Sequence, residues 1–321
     1  MNQRLIQRLC QLKTEAFTMT LTIINLQNPP GISGVYAESV AFPSKGVTLK
    51  GTLYKPAEIN GLLAAVIVTG AWTTVKEQMA GTYARELAAR GLAALAFDFT
   101  GWGESGGEPR YVEDPATKTA DIDAAVDFLA ECNDVDQSHL YGLGICASSG
   151  YMAAVAADND KMKKLALVAP WLHNPKMAAD VYGGPETVAS LIAASEAGNA
   201  DLTILTAAST TDDNAPMYQA PYYTETNRGL IPAYDNKFSI LTWKPWLTYD
   251  AQASANHLSK PTLMVGSPAI ALPAGAEAYE QRTQAPLQKL WLGDDVTQFD
   301  FYDRADVVTD ASNAVAEFFQ G

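Results

Sequence analysis

Histidine and cysteine are both scarce in this chain, with three of each among 321 residues. Basic residues are also few: 22 lysines and arginines stand against 36 aspartates and glutamates, a formal charge of −14. That surplus repels a phosphate backbone, which argues against nucleic acid as a partner, and it disfavours an anionic membrane surface for the same reason. No run of about 18 apolar residues occurs, which argues against a transmembrane helix. Residues 1–27 include two arginines but no continuous apolar stretch leading to a small-residue cleavage site, so a secretory signal is not expected. Met19 is as good a start as Met1. Residues 1–28 read as an N-terminal extension and a candidate for disorder. Cys10, Cys132 and Cys146 are odd in number and widely spaced, and no CxxC or Cys/His cluster accompanies them. A metal site is therefore not expected. Free thiols fit a reducing compartment, most simply the cytoplasm.

What the chain does have is alternation. Val40–Phe42 and Val47–Tyr54 read as a hairpin around Ser44-Lys45-Gly46. Short apolar runs follow at Leu62–Val68, Leu92–Phe97, Leu140–Ile145, Leu165–Ala169, Leu263–Val265 and Gln288–Leu292. Between them the pattern predicts helices over Val75–Arg90, Thr117–Ala130, Ser149–Ala157 and Ala305–Phe319. Buried strands alternating with helices imply an α/β fold, a mainly parallel sheet covered on both faces. From Pro170 to Lys260 no strand–helix unit fits, and the interval is too long for a loop. It is rich in aromatics, including Tyr222, Tyr223, Trp243 and Trp246. It reads as a cap, residues 170–260, inserted into a core of residues 29–169 and 261–321. A helical extension that merely packs on the core is the plainer alternative.

One junction carries chemistry. Gly144-Ile145-Cys146-Ala147-Ser148 lies where a strand gives way to a helix, and it matches the small-x-nucleophile-x-small pattern of a nucleophile elbow, with Cys146 as nucleophile. The new helix would aim its N-terminus at the thiol and favour thiolate. The Ala147 N–H would face a developing oxyanion. A shifted frame would make Ser148 the nucleophile, and the same short motif also fits an inert cysteine buried in a tight turn.

From Val40 onward the chain resembles the α/β-hydrolase superfamily, and within it the dienelactone-hydrolase-like branch with its polyketide transferase and thiohydrolase relatives. The resemblance rests on Phe97 to Gly107, on Val68-Thr69-Gly70-Ala71-Trp72, on Thr74-Val75-Lys76-Glu77, on Gly103 to Pro109 and on Phe299 to Asp303. It implies an oxyanion hole from backbone N–H groups at Ala71 or Trp72 together with Ala147, a turn-forming rather than catalytic Asp98, and no cofactor. Lys76 and Glu77 would face the site or simply form a solvated pair. Trp243, Trp246 and Gln298 are further pocket candidates.

The usual triad, however, cannot be built. The acid slot, Gly266-Ser267-Pro268-Ala269-Ile270-Ala271-Leu272, holds no carboxylate, and the histidine slot, Thr297-Gln298-Phe299-Asp300, holds Gln298. His139 and His257 precede strands and sit near the wrong sheet edge, whereas active sites of open α/β sheets lie at the carboxyl edge. Only His173 follows a strand, so it is the one candidate base for a Cys146–His173 dyad. It fits equally a hydrogen-bonded residue at the base of the cap. The orienting acid stays open among Asp180, Asp250, Asp294, Asp295 and Asp300.

The expected function is hydrolysis of an ester, thioester or lactone through Cys146, the partner being a small-molecule acyl substrate, free or carrier-bound. Transfer of a polyketide-like acyl group to an alcohol is one alternative. A non-catalytic binding protein on a hydrolase fold is another. A lyase or isomerase using Lys76 or Glu77 is a third.

Overall fold

A computed structural model describes residues 21–22, 34–197 and 203–321. Most of the expected N-terminal extension, both candidate start residues and Cys10 lie outside the described residues. No helix among the described residues is long and apolar enough to cross a membrane.

The core is one nine-stranded sheet. Its strands are β1 (Leu21–Thr22), β2 (Val35–Ser44), β3 (Val47–Pro56), β4 (Leu63–Thr69), β5 (Ala93–Asp98), β6 (Val135–Ile145) and β7 (Met162–Val168), followed much later by the last two. In the segment between, β8 (Ile204–Thr206), β9 (Ala208–Ser209), β10 (Met217–Tyr218) and β11 (Lys237–Ser239) form two small ladders of their own. The sheet is completed by β12 (Thr262–Gly266) and β13 (Leu287–Trp291). The order is β1-β2-β3-β5-β4-β6-β7-β12-β13. From β5 to β13 every pairing is parallel, while β1, β2 and β3 make an antiparallel edge. Burial follows from that arrangement. All six residues of β5 are buried, as a central strand covered on both faces requires, whereas β2 and β3 alternate buried with exposed positions.

Helices α1 (Met79–Ala88), α2 (Pro115–Ala130) and α3 (Ser148–Asp158) pack on the sheet. Asp114 starts α2 by accepting the Ala116 N–H, with Pro115 at the first helical position. α1 begins four residues later than its apolar spacing predicts. The N–H of Val75 is taken by the Gln78 side chain and that of Lys76 by Asp98 Oδ1, so Val75–Gln78 turns instead of coiling. Beyond β7 come α4 (Pro175–Val181), α5 (Pro185–Ala197), α6 (Pro221–Thr224) and α7 (Trp243–Leu247), none of which alternates with strands of the main sheet. α8 (Pro273–Arg282), α9 (Asp300–Asp303) and α10 (Ala305–Gln320) close the chain, α10 burying Val307, Ala311, Val315 and Phe319 along one face.

Candidate active site

The turn from β6 into α3 is strained at one residue. Cys146 has φ +56°, a conformation non-glycine residues rarely adopt. It is held there from both sides: its N–H donates to the Val168 carbonyl (3.0 Å), and its carbonyl accepts from Trp171 N and Ser149 N (3.0 Å each). The turn also needs a bare backbone at Gly144, because a Cβ there would stand 2.6 Å from the Ser148 carbonyl oxygen and 2.8 Å from Ser149 Cα. Ser148, the alternative nucleophile, is fully buried in the first turn of α3 and does not reach the cavity described next.

Cys146 and Ala147 form part of the wall of a cavity of about 310 Å³. Aromatic side chains surround it: Trp72 from the loop after β4, Trp171 and Tyr182 after β7, Tyr223 and Trp246 from α6 and α7, and Phe299 and Tyr302 near α9. No charged residue among those described lines it. The backbone N–H groups of Trp72 and Ala147 and the hydroxyl of Tyr302 lie against Cys146 Sγ. Ala71 is not available for that work, since its N–H donates to Met79 Sδ (3.5 Å).

The helix start was expected to favour thiolate. Burial outweighs it: despite those three donors the Cys146 thiol is pushed above its ordinary value. The structure also replaces the expected Cys146–His173 dyad. His173 is buried behind the cavity wall, where its Nδ1 accepts from the Trp171 indole N–H (3.0 Å) and its Nε2 donates to the Trp246 carbonyl (2.9 Å). An indole only donates and a carbonyl only accepts, so the tautomer is fixed and no lone pair remains for the thiol proton. Burial lowers the His173 pKa to about 4, with the Trp246 carbonyl and Asp250 opposing. The imidazole braces two tryptophans of the wall as a neutral group.

Other expected pocket residues divide cleanly. Trp246 and Gln298 line the cavity. Trp243 stands behind it, its ring centroid 6.2 Å from that of Trp72. Lys76 and Glu77 do not reach it at all, which removes the acid–base roles considered for them. Lys76 Nζ instead holds three carboxylates, Asp98 (2.9 Å), Glu104 (2.6 Å) and Glu77 (2.6 Å). Asp98 accordingly organises a turn, also accepting the N–H groups of Lys76 and Glu104. None of the five candidate orienting acids lines the cavity: Asp300 accepts from Thr297 N and Oγ1, and Asp180 pairs with Lys176. His139 and His257 are exposed beside Asp136 and Asp158.

Gln298 does more than its slot suggested. Its Oε1 accepts the N–H of Ala271, in the vacated acid slot, at 2.9 Å. Its Nε2 donates to the Ala169 carbonyl (3.0 Å) and to Tyr302 Oη (2.9 Å). Tyr302 is the site residue that sequence reasoning overlooked, although it lies inside the Phe299–Asp303 run that carried part of the resemblance.

Comparison with known proteins agrees with this architecture. The family model described as Serine aminopeptidase, S33 matches residues 66–221. The uncharacterized protein YcjY of Escherichia coli (strain K12) is 29% identical over 85% of this chain and 94% of its own length. The structure of PA2218 from Pseudomonas aeruginosa superposes with a TM-score of 0.78 at 24% identity, covering 94% of this chain and 99% of that one. GrgF from Penicillium sp., described as a polyketide transferase, is 25% identical over 70% of this chain and 75% of its own. Its solved structure, an alpha/beta hydrolase, superposes with a TM-score of 0.70 at 21% identity over 88% of this chain and 98% of that one. The chain has the α/β-hydrolase fold and is an enzyme of that type. Against the triad usual on that fold it departs at all three positions: cysteine stands at the nucleophile turn in place of serine, glutamine stands where the histidine usually does, and Ala271 N–H rather than a carboxylate meets that glutamine.

Proposed function

We propose that this α/β-hydrolase moves a neutral acyl group through a thioester on Cys146, taking it from an ester, thioester or lactone and giving it to water. The observation that carries this reading is the convergence on one sulfur of two backbone donors, Trp72 N and Ala147 N, at the floor of an uncharged aromatic cavity. As Sγ bonds to the acyl carbon, the carbonyl oxygen becomes an oxyanion beside those same donors, which cost no reorganisation because the turn and loop already hold them. An acyl group without charge suits walls of indole and phenol rings, and a carboxylate would find no cation there. Transfer to an alcohol in place of water is the second reading, favoured by the description of GrgF as a polyketide transferase.

The test is intact-mass analysis after mixing the protein with a hexanoyl thioester. An added hexanoyl group is expected on wild type and not on Cys146→Ala, with turnover lost in the variant. Turnover undiminished in Cys146→Ala would overturn the proposal. Adding methanol and assaying methyl hexanoate separates the two acceptors.

A further inference from the structure

Acylation through a thiol that burial keeps protonated needs somewhere to send the proton, and His173 cannot take it. We infer that Tyr302 is the catalytic proton relay for Cys146, oriented by Gln298; this rests on the acyl-transfer reading above. Gln298 is held at both ends of its amide. Because its Oε1 meets a backbone N–H, its amide cannot be turned the other way, and Nε2 is the atom facing Tyr302 Oη. A phenolic oxygen has two lone pairs and one proton. Gln298 fills one lone pair. What remains is one acceptor site and one donor proton at the wall of the cavity, with Cys146 Sγ and the Tyr223 hydroxyl as the neighbours they can serve. Those are the two functions a histidine supplies in the ordinary triad. Burial also keeps Tyr302 a neutral phenol, the form that can both accept and donate.

The step balances without any further group. Sγ attacks the acyl carbon and the new C–S bond forms. The S–H proton passes to the free lone pair of Tyr302 Oη while the proton already on Oη passes to the leaving oxygen or sulfur, and the bond between it and the acyl carbon breaks. The phenol is regenerated, and the products are the acyl-enzyme and a neutral alcohol or thiol. In deacylation, water attacks the thioester, its proton travels through Oη to Sγ, and a carboxylic acid leaves.

The experiment compares two hexanoyl esters that differ only in the leaving group, measured by rapid quench and intact mass on wild type, Tyr302→Phe and Gln298→Leu. Ethanol needs a proton as it leaves, whereas p-nitrophenolate departs as a stabilised anion. Loss of a general acid–base group costs about 10²- to 10⁴-fold. Acylation by the ethyl ester, which uses both the acceptor and the donor of the relay, is therefore expected to fall at least about a hundredfold in Tyr302→Phe, and acylation by the p-nitrophenyl ester, which needs only the acceptor, by a factor at least about tenfold smaller. Gln298→Leu, which leaves the phenol in place but unoriented, is expected to show the same selectivity with a smaller loss. Equal losses with both esters, or none, overturn the relay while leaving Cys146 as nucleophile. No acyl adduct on wild type with either ester overturns the acyl-transfer reading, and the relay with it.

Discussion

Glu113 is the residue whose removal tests most directly how the two sides of the site are held. It is fully buried. Its Oε2 accepts the N–H of Thr73 (3.0 Å), the residue after Trp72, which sits at φ +63°. Its Oε1 accepts from Lys118 Nζ (2.7 Å) and from the hydroxyl of Tyr151 on α3 (2.9 Å). One carboxylate thus ties the loop carrying the Trp72 donor to the helix that follows Cys146. In Glu113→Gln, Lys118 keeps its aromatic neighbours, Phe99 at 4.5 Å and Trp102 at 5.1 Å, but loses its counter-charge. Breaking a buried pair from one side costs about 3–5 kcal/mol. The upper end has a physical limit, since a lysine of ordinary pKa can be neutralised at pH 7 for about 5 kcal/mol. At roughly 2.1 cal/mol/K of unfolding entropy per residue, the loss corresponds to a melting shift of about 4–7 °C. Burial already lowers the Lys118 pKa, and Glu113 is the leading opposing influence. Without it the folded state releases the lysine proton at still lower pH while the unfolded chain retains it to about 10.4, so the unfolded state binds more protons and stability rises with pH across that window. Urea denaturation between pH 7 and 9.5 should show Glu113→Gln climbing more steeply than wild type. Adding Lys118→Met removes the stranded charge and should restore most of the stability, because apolar replacement of a whole buried pair is commonly neutral. The acylation rate should stay down by at least about tenfold in both variants, because Thr73 has lost its charged acceptor and the oxyanion donor beside it is no longer fixed. A double variant no more stable than the single one would refute the charge argument, and a wild-type acylation rate in the double variant would refute the bracing role.

Cys146→Ser should lower acylation at least about a thousandfold, because a serine hydroxyl needs a strong general base and no histidine is free to act as one; retention within tenfold of wild type, by rapid quench, would mean a base had been overlooked. His173 predicts an acid-sensitive cavity wall. Its folded pKa of about 4 lies below the unfolded value near 6.5, so the unfolded chain binds the proton first and stability present above pH 6.5 is lost as pH falls toward 4. That loss amounts to about 3 kcal/mol, and it should appear as a pH-dependent difference between wild type and His173→Gln followed by urea denaturation; parallel pH profiles would refute it.

The sheet was legible in the sequence because its strands are short and almost wholly apolar, and burial on both faces demands that. Six parallel strands and the front hairpin appear where the apolar runs predict them, within a few residues. The tight turn through Gly144, Cys146 and Ser148 was legible for a related reason: it admits only small neighbours, and the sequence records that restriction. The start of α1 was misread because side chains far apart in sequence, Asp98 above all, compete for its N–H groups. His173 was misassigned because sheet position says which edge a residue reaches but not which way its nitrogens are spoken for. Tyr302 was missed because a tyrosine in an aromatic-rich run reads as packing, and only the fixed amide of Gln298 distinguishes this hydroxyl from its neighbours.

The three departures from the usual triad make sense together more than separately. A serine at the turn would need a base able to carry positive charge, and a buried imidazolium in turn needs a carboxylate to stabilise it. This cavity provides neither, and its walls would penalise both charges. A thiol lowers the demand, since sulfur loses its proton far more readily than a hydroxyl and remains nucleophilic when it does. A phenol then suffices in place of an imidazole, because the proton need only pass through and no cation has to persist. Gln298 replaces the histidine–carboxylate hydrogen bond with amide bonds to Ala271 N and the Ala169 carbonyl, fixing geometry without adding charge. The result is a site that is uncharged at every point facing the substrate, and that is the condition under which an apolar acyl group can be held against the nucleophile without water between them.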